Sequence, residues 1–333
     1  MRIPEEPVFN LQKGPMKISD NLKFKLKELG GCIPFLRRSS YFSPGIELEH
    51  SYEMLSVDYP LLRKNDLEPS IEFPTSQLCT ASQFRSAIYE GWCKKMRQSI
   101  RLHRKQWEFV YILQSLFIGG MLEEGRRGLG FGCGKEPLPA VMASFGCEVL
   151  ATDQTKPSAT YQGWSKVGMH SEKLEDLFFP EILPREDFFK HVSFAAVDMN
   201  HICDDLKGFD FVWSACAFEH LGSIENGLNF VLNSARCLKS GGMAIHTTEF
   251  NLGSNEGTFE SEGLTLYRRK DIKELITRCE QEGFEVMPLN LTLSERVEDG
   301  FVDLPPYRSY PHLKLAVHGY LTTSIGLIIK RKP

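Results

Sequence analysis

The residues best placed to do chemistry in this chain cluster in one short stretch. Gly128-Leu129-Gly130-Phe131-Gly132-Cys133-Gly134 alternates glycine with larger residues and runs straight into Lys135-Glu136-Pro137-Leu138-Pro139. Glycine adopts positive φ without strain and lets a ligand touch main chain, while Pro137 or Pro139 suits the first turn of a helix. The stretch reads as a buried strand, a tight turn and a helix, with a ligand seated on the backbone. A P-loop would need Gly-x-x-x-x-Gly-Lys-Ser/Thr, but here Leu129 stands at the first glycine and Glu136 at the hydroxyl. The dinucleotide pattern Gly-x-Gly-x-x-Gly fails in every register, since its third glycine falls on Cys133, Lys135 or Pro137. Glu136 would also repel a pyrophosphate at the helix start. A ligand with ribose and base but no phosphates fits better.

Further on, Cys147-Glu148-Val149-Leu150-Ala151-Thr152-Asp153 is a second short strand. It ends in an acid about 20 residues after the turn, where a carboxylate can accept two hydrogen bonds from a ribose diol.

Turn, spacing and acid together resemble the class I S-adenosylmethionine-dependent methyltransferases, over the chain from near Arg104 to the C-terminus. Leu129-Gly130-Phe131-Gly132-Cys133-Gly134 looks like that family's first motif, which implies cofactor contacts at Gly130, Phe131, Gly132, Cys133 and Gly134. Asp153 looks like its ribose acid, with Gln154 beside it, and Val197-Asp198-Met199-Asn200 like the strand end that holds adenine. The resemblance implies that Asp198 accepts from the adenine amino group and that Met199 packs on the ring. Phe209 to Ser214 resembles the fourth strand, putting Ser214 at the cofactor, and Cys237 to His246 the helix end, turn and fifth strand. Two positions depart from the pattern: Gly130 stands where many members carry an acid, and Glu136 where many carry a third glycine. A helix leading into the first strand often roofs the pocket in this family, so Arg104 or Lys105 is a candidate partner for the cofactor carboxylate.

Methyl transfer from a sulfonium is an in-line displacement that needs alignment and, for a hydroxyl acceptor, a base. Ser214-Ala215-Cys216-Ala217-Phe218-Glu219-His220 follows the fourth strand, where an acceptor would approach. His220 is the candidate base, and Glu219 would orient it or bind substrate. His246, near the fifth strand's end, is the competing base, with Glu249 a candidate substrate contact. His312 and His318 fit structural or substrate-facing roles. Asp204-Asp205 lacks the converging ligands of a metal site, so no obligatory metal is expected. The pattern from His103 to Glu108 followed by Gly128 to Pro139 looks similar to bacterial methyltransferases that accompany glycan-assembly enzymes, which points to a hydroxyl of a sugar, glycan or small metabolite as acceptor. Two other classes stay open. A nucleic-acid or protein methyltransferase is one, although Ser214 to Phe218 lacks an Asn/Asp-Pro-Pro-Tyr/Phe motif for a flipped base. A non-catalytic protein that binds an adenosyl ligand is the other.

These residues need a scaffold. The chain has 333 residues, 42% hydrophobic and 25% charged, enough for a full α/β core with an appendage. Its net charge of −4 disfavours nucleic acid or an anionic membrane as partner. The nine cysteines are scattered without a Cys-x-x-Cys pair, and no apolar run is long enough to span a bilayer, so a reducing, cytoplasmic setting is expected. Strands are expected around 127–134, 147–153, 192–197, 209–214, 243–246, 283–287 and 321–330. Helices are expected over 84–92, 102–121, 157–167, 224–238 and within 264–282, with a helix-capping signature at Pro74 to Thr80. The alternation predicts a doubly wound, mostly parallel seven-stranded Rossmann-like sheet carrying an N-terminal helical or irregular extension. By the resemblance, the strand order is 3-2-1-4-5-7-6 with the seventh strand antiparallel. Residues 1–95 are read as the extension and 96–333 as the methyltransferase domain. Tyr41, Tyr52, Tyr59 and Trp92, with the insert between Glu249 and Tyr267, are candidates for an aromatic substrate lid.

Overall fold

A computed structural model of the chain describes residues 68–154, 173–307 and 310–333. All of them belong to the second of two compact units, His50–Pro333. One sheet of eleven strands organises them. The strands are β1 (Ser76–Leu78), β2 (Arg127–Phe131), β3 (Glu148–Asp153), β4 (Val192–Ala196), β5 (Phe209–Ala215) and β6 (Leu238–Asn251), then β7 (Phe284–Val286), β8 (Leu289–Asn290), β9 (Val302–Asp303), β10 (Lys314–Val317) and β11 (Tyr320–Arg331). The helices are α1 (Ala87–Lys95), α2 (Arg104–Ile118), α3 (Leu138–Ala143), α4 (Arg185–His191), α5 (Ile224–Arg236) and α6 (Arg269–Gln281).

Strands β4, β3, β2, β5 and β6 lie side by side and parallel, and β11 runs antiparallel between β6 and β7. This is the expected 3-2-1-4-5-7-6 order of a Rossmann-like sheet. Four short strands were not anticipated. The free edge of β11 is tiled along its length by β10 at Tyr320 to Thr322, β1 at Ile325 and Gly326, and β7 at Ile329 to Arg331. Strands β8 and β9 extend β1 and β10 in turn.

Apolar layers cover both faces. On one, α2 contributes Trp107, Val110, Tyr111 and Leu113, and α3 contributes Leu138, Ala140 and Val141. On the other, α5 buries Leu228, Val231, Leu232 and Ala235, the residues its periodicity selects, alongside Ile272 and Leu275 of α6. Side chains cap the starts of α2 and α5: His103 Nδ1 accepts from Lys105 N–H, and Ser223 accepts from Asn226 N–H. No helix of the described residues is long and apolar enough to cross a membrane.

Pro74 to Thr80 does not open an α-helix, and Thr80 precedes a 3-10 turn without a side-chain cap bond. Ser76 Oγ accepts from Ile328 N–H at 3.1 Å and Gln77 pairs with Gly326, which makes this stretch the strand β1. The helix expected over 84–92 is broken at Ser86, which ends a 3-10 turn (Ala81–Arg85) and caps α1. Cys79, Phe84, Tyr89 and Trp92 all lie in the core, so the described end of the expected extension is built into the sheet domain. Trp92 donates to Gln114 Oε1 at 2.7 Å and is 6% exposed, so it forms no lid. Tyr41, Tyr52, Tyr59 and the helix expected over 157–167 lie outside the described residues.

Candidate active site

At the C-terminal ends of β2, β3 and β5, the place where an open α/β sheet binds ligands, lies a hollow of about 330 Å³. Its floor is the turn after β2. Gly132 and Gly134 take φ of 60° and 52°, and a Cβ on Gly132 would lie 2.7 Å from Ala217 Cβ. Only glycine keeps that main chain open to a ligand. The turn is tied to the next strand: Cys133 N–H donates to the Thr152 carbonyl at 3.0 Å, and Gly134 N–H to Asp153 Oδ2 at 3.1 Å. Asp153 Oδ1 accepts from Gln154 N–H at 2.8 Å, so two backbone donors fix the carboxylate at the wall of the hollow. Beyond β4, Asp198 and Met199 also line it. Asp198 is exposed, accepting from Asn200 N–H at 2.9 Å and meeting His201 Nδ1 at 2.9 Å. Met199 Sδ sits 3.3 Å from where a Gly132 Cβ would be, so the thioether leans over the turn.

Gly132, Cys133, Gly134, Asp153, Gln154, Asp198, Met199 and His220 are thus brought together. Gly130, Phe131, Ser214, Arg104, Glu219 and His246 are not among the residues lining the hollow. Gly130 lies under Trp213, whose Cζ2 would be 2.3 Å from an added Cβ. Phe131 meets Phe230 edge-on at 5.3 Å in the core. Ser214 Oγ pairs with His246 Nδ1 at 2.8 Å, and His246 Nε2 with Ser234 Oγ at 3.0 Å. Burial pushes the His246 pKa down to about 3, so this ring is a neutral core residue held between two hydroxyls.

Arg104 turns to an ion pair with Glu249 at 2.5 Å and approaches Glu108 at 3.4 Å. Its neighbour Lys105 lines the hollow, with Nζ donating to the Ala215 carbonyl at 2.6 Å and 3.2 Å from Glu108 Oε2. Glu108 is fully buried; burial would raise its pKa, but Lys105 and Arg104 hold it below the ordinary carboxylate value. Glu219 is 1% exposed and its Oε2 accepts from the Thr248 hydroxyl at 2.9 Å. Burial raises its pKa.

His220 does face the hollow. Its Nδ1 lies 2.6 Å from the Gly263 carbonyl, which accepts only, so Nδ1 carries the hydrogen and Nε2 is the basic atom of the neutral ring. Nε2 is 3.9 Å from Glu219 Oε1. Burial lowers the His220 pKa to about 4. The insert after Glu249 supplies that carbonyl and also donates Thr265 N–H to the Glu219 carbonyl at 2.7 Å, fixing the 3-10 turn Phe218–His220. His312 Nδ1 meets Asp303 Oδ2 at 2.6 Å and its ring lies tilted 4.3 Å from that of His103, and neither ring lines the hollow.

Two lining residues carry chemistry that the sequence pattern assigns no role. Cys216 has φ of 48° and points Sγ at Glu108 Oε1, 2.9 Å away; burial and then Glu108 raise its pKa well up, which keeps it a thiol. Glu136 is 4% exposed, and its Oε1 accepts from Trp213 Nε1–H at 2.7 Å. Its signal in the sequence was an acid intruding into a glycine-rich turn. Among the described residues no group of three or more His, Cys, Asp or Glu could hold a metal ion.

No protein-family model matches the chain, and no curated protein matches it. Among solved structures it is similar to a putative methyltransferase from Bacillus halodurans, at 15% identity and a TM-score of 0.42, covering 66% of this chain and 99% of that one. It is also similar to an S-adenosylmethionine-dependent methyltransferase from Clostridium acetobutylicum (11% identity, TM-score 0.40, 73% and 97% covered). A third is magnesium protoporphyrin IX methyltransferase from Synechocystis with bound S-adenosylhomocysteine (13% identity, TM-score 0.40, 75% and 97% covered). Likeness of this grade carries no substrate and no residue role across to this chain.

Proposed function

We propose that the hollow binds S-adenosylmethionine and that the protein is a methyltransferase acting on a hydroxyl of a sugar, glycan or small metabolite. One observation carries the reading: a glycine turn held open by positive φ, its N–H bonded to a buried acid at the end of the next strand, with Glu136 standing where a P-loop carries its hydroxyl. That donor and acceptor set suits ribose and adenine. When bound, the cofactor supplies an electrophilic methyl group for in-line displacement. In this reading Asp153 grips the ribose diol, Asp198 accepts from the adenine amino group, and Met199 covers the ring. His220 Nε2 takes the proton of the acceptor hydroxyl, because its tautomer leaves that atom basic and its low pKa keeps it uncharged at neutral pH. Arg104, Glu219 and His246 act on the site only through their neighbours.

The net charge of −4 and the acids at the hollow argue against a polyanionic acceptor. The described cysteines are all free, consistent with the reducing cytoplasm proposed as its location. Within the segment 1–95, Ile71, Phe84, Tyr89 and Trp92 belong to the core, so the lid role is proposed for the residues before 68.

Titration calorimetry is the first test. Micromolar or tighter binding of S-adenosylmethionine and S-adenosylhomocysteine is expected, and no binding of either rejects the enzyme. Transfer of labelled methyl to nucleotide sugars, glycans and small phenols then separates the acceptors from a purely ligand-binding role.

A further inference from the structure

Glu136 does not fit an adenosine site taken alone. A carboxyl group 4% exposed, at the wall of a ligand hollow, is costly unless something answers it. Trp213 of β5 answers one oxygen, at 2.7 Å, and that indole reaches Glu136 because residue 130 has no Cβ: one there would lie 2.3 Å from Trp213 Cζ2. The acid and the glycine are therefore one arrangement, with the indole occupying the space above Gly130 and steering the carboxyl into the hollow. Lys105 of α2 lines the same hollow. An ammonium has three donors; the Ala215 carbonyl takes one and Glu108 Oε2 faces the group as an ion-pair partner at 3.2 Å, which leaves a donor for a ligand among the described residues. A hollow that sets Glu136 and Lys105 beside an adenosine cradle is matched to a zwitterion.

We propose that Glu136 and Lys105 form a clamp for the amino-acid end of the cofactor, Glu136 taking the α-ammonium and Lys105 the α-carboxylate. This rests on the adenosyl reading of the same site. The charged and titratable groups around Glu136 are Lys105 from α2, Asp153 from β3 and Cys133 from the turn. Burial is the largest influence and pushes the Glu136 pKa up to about 8, so without ligand it holds its proton at pH 7. An ammonium at hydrogen-bond distance favours the carboxylate and drives that proton to the buffer.

Calorimetry at pH 7 in buffers of different ionisation enthalpy counts the protons. S-adenosylmethionine and S-adenosylhomocysteine should each release roughly 0.9 proton per molecule bound, the share held by a group of that pKa. Methylthioadenosine, which lacks the amino-acid end, should bind with no release. Glu136→Gln keeps an acceptor for Trp213 and should abolish the release while weakening S-adenosylmethionine at least tenfold. Unchanged release in Glu136→Gln, equal release with methylthioadenosine, or release with the sulfonium ligand alone overturns the clamp. Binding of all three ligands without any release overturns the clamp but leaves the adenosyl site standing. No binding by any of the three overturns both.

Discussion

His220 and His246 are the same residue type at the ends of adjacent strands, and their surroundings give them opposite uses. His246 spends both nitrogens on Ser214 and Ser234 inside the core. His220 spends Nδ1 on Gly263 and faces the hollow. Burial depresses both pKa values, to about 3 and about 4. A base works only unprotonated, so turnover should stay level as pH falls through 6.5 and decline only near 4. A pH–rate profile checks this, with His220→Ala lowering turnover at all pH values and sparing cofactor affinity; a limb at 6.5 would assign the proton to another group. Sequence alone could not separate the two rings. Strand alternation turns Trp213 to one face and Ser214 to the other, and the register Ser214 opposite His246 joins positions far apart in the chain. Arg104 was hidden for the same reason, since Glu249, its strongest partner, lies in β6.

At the scale of elements, β2 can pass between its neighbours because it is thin. Phe211 and Trp213 of β5 lie over Gly128 and Gly130, within 2.3 Å of where Cβ atoms would stand. Gly130→Ala should therefore force Trp213 aside, destabilise the fold by roughly 1–3 kcal/mol through overpacking, and change the tryptophan fluorescence. Denaturant unfolding with fluorescence detection checks it; wild-type stability with an unchanged spectrum would mean the indole does not rest there. Strands such as Phe209 to Ala215 were legible because they are buried apolar runs closed by turn residues. β1 was not. Ser76 and Gln77 are polar yet buried, and their hydrogen bonds to Ile328 N–H and Gln83 are made by tertiary structure. A Thr-Ser pair read in isolation resembles a helix cap.

In the molecule as a whole, one sheet places an open glycine turn, two strand-end acids and a buried network of charge at the same end. Glu108, Glu219 and Glu249 are gathered with Arg104 and Lys105 from α2, and burial raises the pKa of Glu219 and Glu249 while the two cations keep Glu108 ionised. That network fixes Lys105 at the hollow and Arg104 behind it. The position of Asp153 could be read from spacing and the order of strands came from the family resemblance; the division of labour between Arg104 and Lys105 required the fold. The central claim is that Asp153 holds a ribose in this hollow, and the affinity of S-adenosylhomocysteine for the wild type and for Asp153→Ala tests it most directly. A loss of about 1.5–3 kcal/mol, roughly ten- to a hundredfold in Kd, is predicted for the missing charged hydrogen bonds. Equal affinity in the two proteins would contradict the account.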